Sequence, residues 1–229
     1  PFQKKAAKRE FIINQMVFAG VDSLVIAFFV SMFTGIVIAM QTAYQLARFG
    51  GAVYVAGLVA VSIARELGPV LTALVVAGRV GSAIAAELGT MKVSEQIEAL
   101  ETIALNPIRF LVVPRFLALA IMLPCLTIVA DVAGIIGGFI VGVFNLHLNP
   151  ALYLDVTFRF LTTKDVMTGL AKSLTFGIII ALVGCYYGLN TKGGAEGVGK
   201  STTKSVVVSF ILIILFDCIL TGIFYFSRV

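Results

Sequence analysis

The chain has 229 residues, of which 59% are hydrophobic and only 13% are charged, with a formal net charge of +5. Soluble domains contain roughly 45–50% apolar and about 25% charged residues, so this composition excludes a soluble domain and predicts a polytopic membrane protein. The three cysteines lie in apolar runs, and the single histidine, His147, has no second ligand nearby in the sequence. We therefore expect no disulfide framework, no metal site and no cofactor.

The first twenty residues combine a basic start with an apolar end. Four basic residues between positions 4 and 9 precede an apolar stretch that begins at Phe11. This pattern is typical of a helix that lies in the membrane interface with its basic face toward anionic head groups, so we expect an interfacial helix over 1–20. A simple basic flank is the alternative. No signal-peptidase-like site follows, and we expect no cleavable signal peptide.

Five apolar segments are long enough to cross a bilayer, which requires about 20 residues of helix. We expect an all-α integral membrane protein whose spans run over residues 24–43, 53–77, 116–143, 166–187 and 206–226. The first span ends in a polar run from Gln41 to Gln45. This run lies either at an ordinary membrane interface or along the wall of a wet cavity.

The second span carries two charges and a helix break. Arg65 and Glu66 are adjacent, and Gly68-Pro69 follows them. Proline lacks a backbone donor, so we expect a kink, which a membrane tolerates only where protein or water satisfies the freed groups. Adjacent helical residues point about 100° apart, so we expect that Arg65 and Glu66 do not face the same neighbour.

The longest hydrophilic connection follows the second span. Acidic and apolar residues recur at helical spacing over 79–104, and Asn106-Pro107 ends the pattern. We therefore expect an amphipathic helical segment over 79–104 that is suited to docking another protein. The second loop, over 145–164, is expected to contain a short surface helix.

The distribution of lysine and arginine predicts the orientation. Eleven of the seventeen basic residues fall in the N-terminal segment, the 79–115 connection and the 192–204 loop. The positive-inside rule places these segments in the cytoplasm and accounts for the net charge without nucleic acid. After five spans, the C terminus and the 145–164 loop are expected on the outer side.

Five ionisable residues lie inside the expected spans, namely Arg65, Glu66, Asp131, Lys172 and Asp217. A charge at the centre of a membrane helix costs roughly 2.5–3.5 kcal/mol, so these groups must be paired or face water. They either pair with one another to hold the bundle or line a polar chamber that meets a charged head group. Lys172 and Asp217 are the candidate partners of the second-span charges.

Residues Gly194 to Ser201 match the phosphate-loop pattern G-x-x-x-x-G-K-[ST] letter for letter. That pattern binds nucleotide only between a buried strand and a helix of a nucleotide-binding domain. Here it joins two spans, so we expect a flexible cytoplasmic turn and no ATP binding. Because no Ser-His-Asp or Cys-His arrangement is available, we do not expect an enzyme.

The run from Ala64 to Ala118 (ARELGPVLTALVVAGRVGSAIAAELGTM and onward to VVPRFLA) resembles the signature of MlaE-type permeases. These are the membrane subunits of MCE-associated ABC lipid transporters. Two further segments, Leu123 to Gly138 and Gly194 to Val207, are also similar to family blocks. The resemblance implies a homodimer with an interfacial helix and five spans per subunit, whose coupling helix after the second span docks a separate cytoplasmic ATPase. It also implies a hexamer of MCE-domain proteins on the outer, periplasmic side and, in some systems, a STAS-domain protein.

The resemblance implies movement of phospholipids between the inner and outer membranes, from a place in the bacterial inner membrane. By matching position it implies that Arg65, Glu66, Lys172 and Asp217 face the dimer cavity, to which the polar end of the first span adds Gln41 and Gln45. It likewise places Glu87, Gly89, Met91, Glu95 and Gln96 in the ATPase-coupling segment, and the helical pattern adds Glu98. Two other hypotheses stay open. One is an ion-coupled secondary transporter or channel that relays ions through the intramembrane charges, and the other is a scaffold that transports nothing.

Overall fold

The structure is a computed structural model that describes residues 2–47 and 51–226. All regular elements in this part of the chain are helices, joined by π turns and short connections. The α-helices are α1 (Phe2–Met16), α2 (Asp22–Ala47), α3 (Val55–Ser62), α4 (Gly68–Val76), α5 (Ser82–Val93), α6 (Gln96–Thr102), α7 (Val113–Phe144), α8 (Pro150–Phe160), α9 (Thr163–Leu189) and α10 (Gly194–Thr221).

Five continuous helical segments are long and apolar enough to cross a membrane. They are Arg9–Leu46, Ala52–Val93, Ile108–Phe144, Thr163–Leu189 and Gly194–Tyr225. The prediction of an all-α protein with five spans is therefore confirmed. The second segment continues well past the expected end near residue 77, because α5 places small and apolar side chains such as Ala85 and Leu88 in the protein interior.

π turns interrupt these segments, and one of them lies at the predicted kink. Residues Ile63–Leu67 form a π turn directly before Gly68, whose backbone N–H donates to the carbonyl of Ile63. Pro69 has no N–H, so the regular hydrogen-bond ladder cannot continue through it. The change of register at the π turn accommodates the missing donor without ending the helix.

The chain divides into two compact units. The first unit contains Pro1–Ser23, Ala73–Pro124 and Leu174–Val229, and the second contains Leu24–Thr72 and Cys125–Ser173. In the first unit α5 packs against α10. In the second unit α3 packs against α8.

Glycines bring helices α2 and α7 into close approach within the second unit. A Cβ atom on Gly35 would lie 2.0 Å from the carbonyl oxygen of Gly134, and one on Gly137 would lie 2.2 Å from that of Met32. Lipid tails are as apolar as leucine, so such backbone-to-backbone packing replaces the hydrophobic effect in holding membrane helices together.

The predicted surface helix in the 145–164 loop is α8. Asn149 caps its first turn by accepting a 2.9 Å hydrogen bond from the N–H of Ala151, and Pro150 occupies the first helical position, where no N–H is needed. Its Tyr153 is buried and packs edge-to-face on Phe139 with the ring centroids 5.5 Å apart. One face of α8 is thereby fixed to the second unit.

Candidate functional site

Two ion pairs join the π turn of the second span to helix α9. Arg65 Nε donates to Asp165 Oδ1 at 2.6 Å, and Lys172 Nζ donates to Glu66 Oε2 at 2.5 Å. Of the candidate cavity residues, the structure therefore brings together Arg65, Glu66 and Lys172. Asp165 joins them as a fourth charged residue.

Each pair combines a buried side chain with a partly exposed one. The side chains of Asp165 and Lys172 are 1% and 0% exposed, whereas those of Arg65 and Glu66 are 37% and 36% exposed. A charge buried in a membrane protein is tolerated when it is paired, so α9 supplies the anchors. The second-span charges retain accessible surface with which a ligand can form hydrogen bonds.

Asp165 also fixes the start of α9. Its Oδ2 accepts hydrogen bonds from the backbone N–H and the hydroxyl of Thr162, at 3.0 and 2.7 Å. Asp165, the third helical residue, thereby satisfies the donor of the cap residue, which is one half of a capping box. The carboxylate that anchors Arg65 is thus held by the helix end itself and does not depend on the ion pair for its position.

The expectation that Arg65 and Glu66 do not face the same neighbour is wrong. Their partners, Asp165 and Lys172, are seven residues apart on α9, which is about two turns along one helical face. Both side chains are long enough to reach the same helix at different heights. Between the two ion pairs, α9 approaches the backbone of the second span closely, since a Cβ on Gly169 would lie 2.2 Å from the carbonyl oxygen of Ala64.

Asp131 of α7 lies beside the kink in the second unit. It is 8% exposed, and its Oδ1 has no hydrogen-bond partner among the described residues. A Cβ on Gly68 would lie 1.7 Å from that oxygen, so the carboxyl group packs directly against the Gly68 backbone. Gly68 is therefore required by close approach, in addition to any role in the kink.

The remaining candidate cavity residues lie elsewhere. Gln41 and Gln45 are exposed near the end of α2, in the second unit. Asp217 is half-buried in α10 and belongs to the first unit.

The candidate coupling residues fall into two groups. Gly89 is buried, and a Cβ there would lie 2.9 Å from the hydroxyl of Thr191, so it permits close packing against the connection after α9. Glu87 Oε2 lies 2.8 Å from Nη2 of the buried Arg115. Glu95 and Gln96 are exposed, and Met91 is partly exposed.

A sharp break separates α5 from α6. Glu95 adopts a left-handed conformation with φ of 58°, which redirects the chain after Ser94. Across the break, Lys92 forms an ion pair with Glu98. The hydrogen bond from Lys92 lowers the pKa of the Glu98 carboxyl below its usual value. The α5–α6 corner thus presents the Glu98 carboxylate in its ionised form.

The segment that resembles a phosphate loop is helical. Residues from Gly194 form the first turns of α10, and Lys200 pairs with Glu196 of the same helix at 2.6 Å. The expectation of a flexible turn is therefore wrong. The Glu–Lys pair one turn apart stabilises the helix, although glycine itself is a poor helix former.

Asp165 and Arg115 are two charged residues that were not among the predicted site residues. The Thr162–Asp165 spacing is a recognisable capping signal, but it does not show which distant cation the carboxylate will meet. Arg115 lies at the start of an apolar span, where a basic residue is ordinarily interpreted as a solvent-exposed charge of the preceding loop.

Comparison with known proteins identifies the family. The family model for the permease MlaE matches residues 12–223. A probable ABC transporter permease protein of Rickettsia conorii is 45% identical, over 93% of this chain and 83% of the relative. One from Synechocystis is 42% identical, over 93% and 81%. The chloroplastic protein TRIGALACTOSYLDIACYLGLYCEROL 1 of Arabidopsis thaliana is 37% identical, over 93% of this chain and 61% of its own length. This chain therefore belongs to the MlaE permease family and is a non-catalytic, multi-pass membrane subunit of an ABC transporter, which works with a partner ATPase.

Proposed function

We propose that this permease moves phospholipids between the inner and outer membranes from a position in the bacterial inner membrane. The observation that carries the proposal is the pair of partly exposed charges, Arg65 and Glu66, inside a membrane-spanning segment. Each is anchored on α9 by a buried partner, so a cation and an anion are presented side by side. One relative, from Arabidopsis, carries the name of a lipid, which supports a lipid as cargo.

The two charges suit a phospholipid head group. A guanidinium donates paired hydrogen bonds to phosphate oxygens with favourable geometry, and a carboxylate accepts from an ammonium or hydroxyl group. The exposed Gln41 and Gln45 add hydrogen-bonding groups on α2. Apolar side chains of α2, including Phe29 and Phe33, are about half exposed and offer a surface for acyl chains.

A second copy of the chain completes the surface that binds the lipid. In the single chain α10 leaves Ile211, Ile214 and Leu215 exposed along a membrane-spanning helix. A homodimer would cover such a face, and the family resemblance implies that Asp217 faces the dimer cavity. The N terminus and the α5–α6 corner lie in the cytoplasm in this arrangement, and α8 and the C terminus lie in the periplasm.

The motor is a separate ATPase that docks at the α5–α6 corner, within the segment 79–104 that was expected to couple to it. The exposed Glu95 and Gln96, with Met91 and the ionised Glu98, form the contact surface at the α5–α6 corner. ATP binding displaces this corner, and the kinked second span carries the displacement to Arg65 and Glu66. This displacement can release the lipid only if the lipid binds the two conformations of the permease with different affinity. The partly exposed side chains of Arg65 and Glu66 can make different contacts with the head group in the two conformations. The periplasmic side receives the MCE-domain hexamer, and the resemblance adds, for some systems, a STAS-domain protein on the ATPase.

The proposal is tested by reconstituting the permease and its cognate ATPase in proteoliposomes that contain a fluorescent phospholipid. We expect ATP-dependent lipid movement in the wild type. Glu66→Gln should reduce it about tenfold, the scale expected for one lost hydrogen bond to a charged group. Arg159→Gln, which changes an exposed charge on α8, should leave it unchanged. Nucleotide-independent ion flux by the isolated permease, without lipid movement, would instead support the ion-coupled hypothesis.

A further inference from the structure

The first unit contains a fully buried arginine that the proposed lipid site does not use. Arg115 is the third residue of α7, and its side chain is 0% exposed. Its Nη1 donates a 2.8 Å hydrogen bond to the carbonyl of Leu111, in the π turn that leads into α7. Its Nε and Nη2 have no hydrogen-bond partner among the described residues, so Nη2 meets other groups only as part of an ion pair. The guanidinium therefore depends on side chains of other elements to compensate its charge.

Two such elements reach Arg115. Nη2 lies 2.8 Å from Oε2 of Glu87 on α5. On another side, Cζ lies 5.9 Å from the ring centroid of Phe11 on α1, a cation–π contact. Phe11 also stacks on Phe110, with the ring centroids 5.8 Å apart. One guanidinium thus connects α5 and α1 to the beginning of α7.

Glu87 stands at the α5 end of this connection. Its side chain is 53% exposed, and the next two residues, Leu88 and Gly89, are buried in the first unit. An exposed carboxylate next to the α5–α6 corner resembles a docking group for another protein. Its position on a buried cation argues for an internal role, because an Arg115 without this carboxylate would be buried with a largely uncompensated charge.

We propose that Glu87 and Arg115 form a transmission link that carries motion of the α5–α6 corner to α7 and α1. This inference rests on the proposed function for the source of the motion, namely a docked ATPase. Both are positioning residues, since they contact neither ATP nor lipid in this arrangement. Movement of α5 pulls Glu87 against a guanidinium that also contacts Leu111 and Phe11, so the start of the third span and α1 move together.

The link makes a prediction that docking does not. In the permease–ATPase complex in proteoliposomes, Glu87→Gln should retain ATPase association and ATP hydrolysis. The amount of lipid moved per ATP hydrolysed should fall about tenfold, within the usual range of coupling energies between sites. The variants Glu87→Asp and Arg115→Lys each keep opposite charges at the two positions. Each should therefore retain part of the wild-type amount of lipid moved per ATP hydrolysed. Arg109→Gln, an exposed charge near the same helix end, is the matched control and should behave as the wild type.

A spectroscopic readout separates the link from a purely structural role. Ile13 is an exposed position of α1, and a fluorophore attached to the Ile13→Cys variant reports motion of that helix. The exposed Cys125 and Cys218 are replaced by alanine in the same chain, so that they do not take the label. ATP should change its signal in the parent complex, and Glu87→Gln should abolish the change. Loss of ATPase association in Glu87→Gln, or an unchanged lipid-to-ATP ratio, would overturn the inference. If the parent complex moves no lipid but still shows the ATP-dependent signal, the proposed function fails and the link stands.

Discussion

Arg79 Nη1 donates a 2.9 Å hydrogen bond to the carbonyl oxygen of Phe18 and thereby joins two π turns of the first unit, Val17–Val21 and Ala77–Gly81. The same nitrogen donates to the hydroxyl of Ser23 at 2.8 Å, and the guanidinium lies 5.2 Å from the Phe18 ring centroid. A π turn disturbs the regular helical ladder and makes carbonyls available to other donors. Arg79 therefore fastens the second span to the early part of the first, at Phe18 and Ser23.

Removing this clamp should destabilise the first unit. Arg79→Gln loses the hydrogen bonds to Phe18 and Ser23 and the contact with the Phe18 ring. Hydrogen bonds between membrane helices average about 0.6 kcal/mol and reach about 1.7 kcal/mol. We therefore expect a loss of about 1–2 kcal/mol, measured as a lower thermal unfolding temperature in detergent. The exposed Arg109→Gln should leave that temperature unchanged, and an Arg79→Gln protein as stable as the parent would refute the clamp.

The contact between Gly68 and Asp131 predicts a rescue. Gly68→Ala places a methyl group on the Asp131 carboxyl oxygen and should strongly reduce the yield of monodisperse protein. Asp131→Ala alone should be close to neutral, because the buried oxygen has no hydrogen-bond partner to lose. The double variant should recover much of the yield. Failure of Asp131→Ala to improve Gly68→Ala would show that the carboxyl is not the obstructing group. Size-exclusion chromatography of the four proteins measures this.

Tyr153 predicts a stability change at alkaline pH. Burial raises the pKa of this phenol from 10.0 to about 12. Below pH 10 the phenol is neutral in both the folded and the unfolded chain, and its contribution to stability is fully present. Between pH 10 and 12 only the unfolded chain loses the proton, so stability falls as pH rises, by about 2–3 kcal/mol at the upper end. Tyr153→Phe should reduce this fall, measured as the unfolding temperature at pH 9 and pH 11.5. Tyr54→Phe, an exposed phenol, should not.

Substitution of Glu95, at the break between α5 and α6, should have opposite effects on protein stability and on ATPase docking. A non-glycine residue with a φ of 58° is strained by about 1 kcal/mol, and glycine removes that strain. Glu95→Gly should therefore raise the unfolding temperature slightly while removing a carboxylate from the proposed ATPase surface, so that less ATPase copurifies. Ser94→Gly, beside it but outside the left-handed region, is the control. A Glu95→Gly protein that copurifies ATPase as well as the parent would remove Glu95 from the docking surface.

The spans and the intramembrane charges could be predicted from the sequence, because hydropathy and the cost of buried charge depend on local composition. The partners could not. Arg65 and Asp165 are separated by 100 residues, and their pairing depends on how α9 is rotated about its axis. Glu87 shows the same limit. A helical pattern identifies a carboxylate on a polar face, but it does not distinguish an outside partner from an arginine at the start of the next span.

The sites where two helices pack closely on a glycine could not be predicted from the sequence pattern either. Gly89 and Gly169 look like ordinary small residues in helices. Their importance becomes visible only when the neighbouring chain is placed, with Thr191 against one and the carbonyl of Ala64 against the other. The family resemblance supplied the expectation of a functional role for Gly89, and the geometry gives that residue a packing role.

The pair between Glu66 and Lys172 distinguishes structural from functional charge. Glu66→Gln leaves a fully buried ammonium without its carboxylate, and breaking a buried pair costs about 3–5 kcal/mol. Because Glu66 is about one-third exposed, we expect a loss toward or below the lower end of that range. Lys172→Met combined with Glu66→Gln removes both charges while keeping the side-chain volumes similar, so the unfolding temperature should return close to that of the parent. If the partly exposed carboxylate contacts the head group, ATP-dependent lipid movement should stay low in the double variant although its stability is restored. Recovery of transport together with stability would mean that this pair only holds the second span to α9.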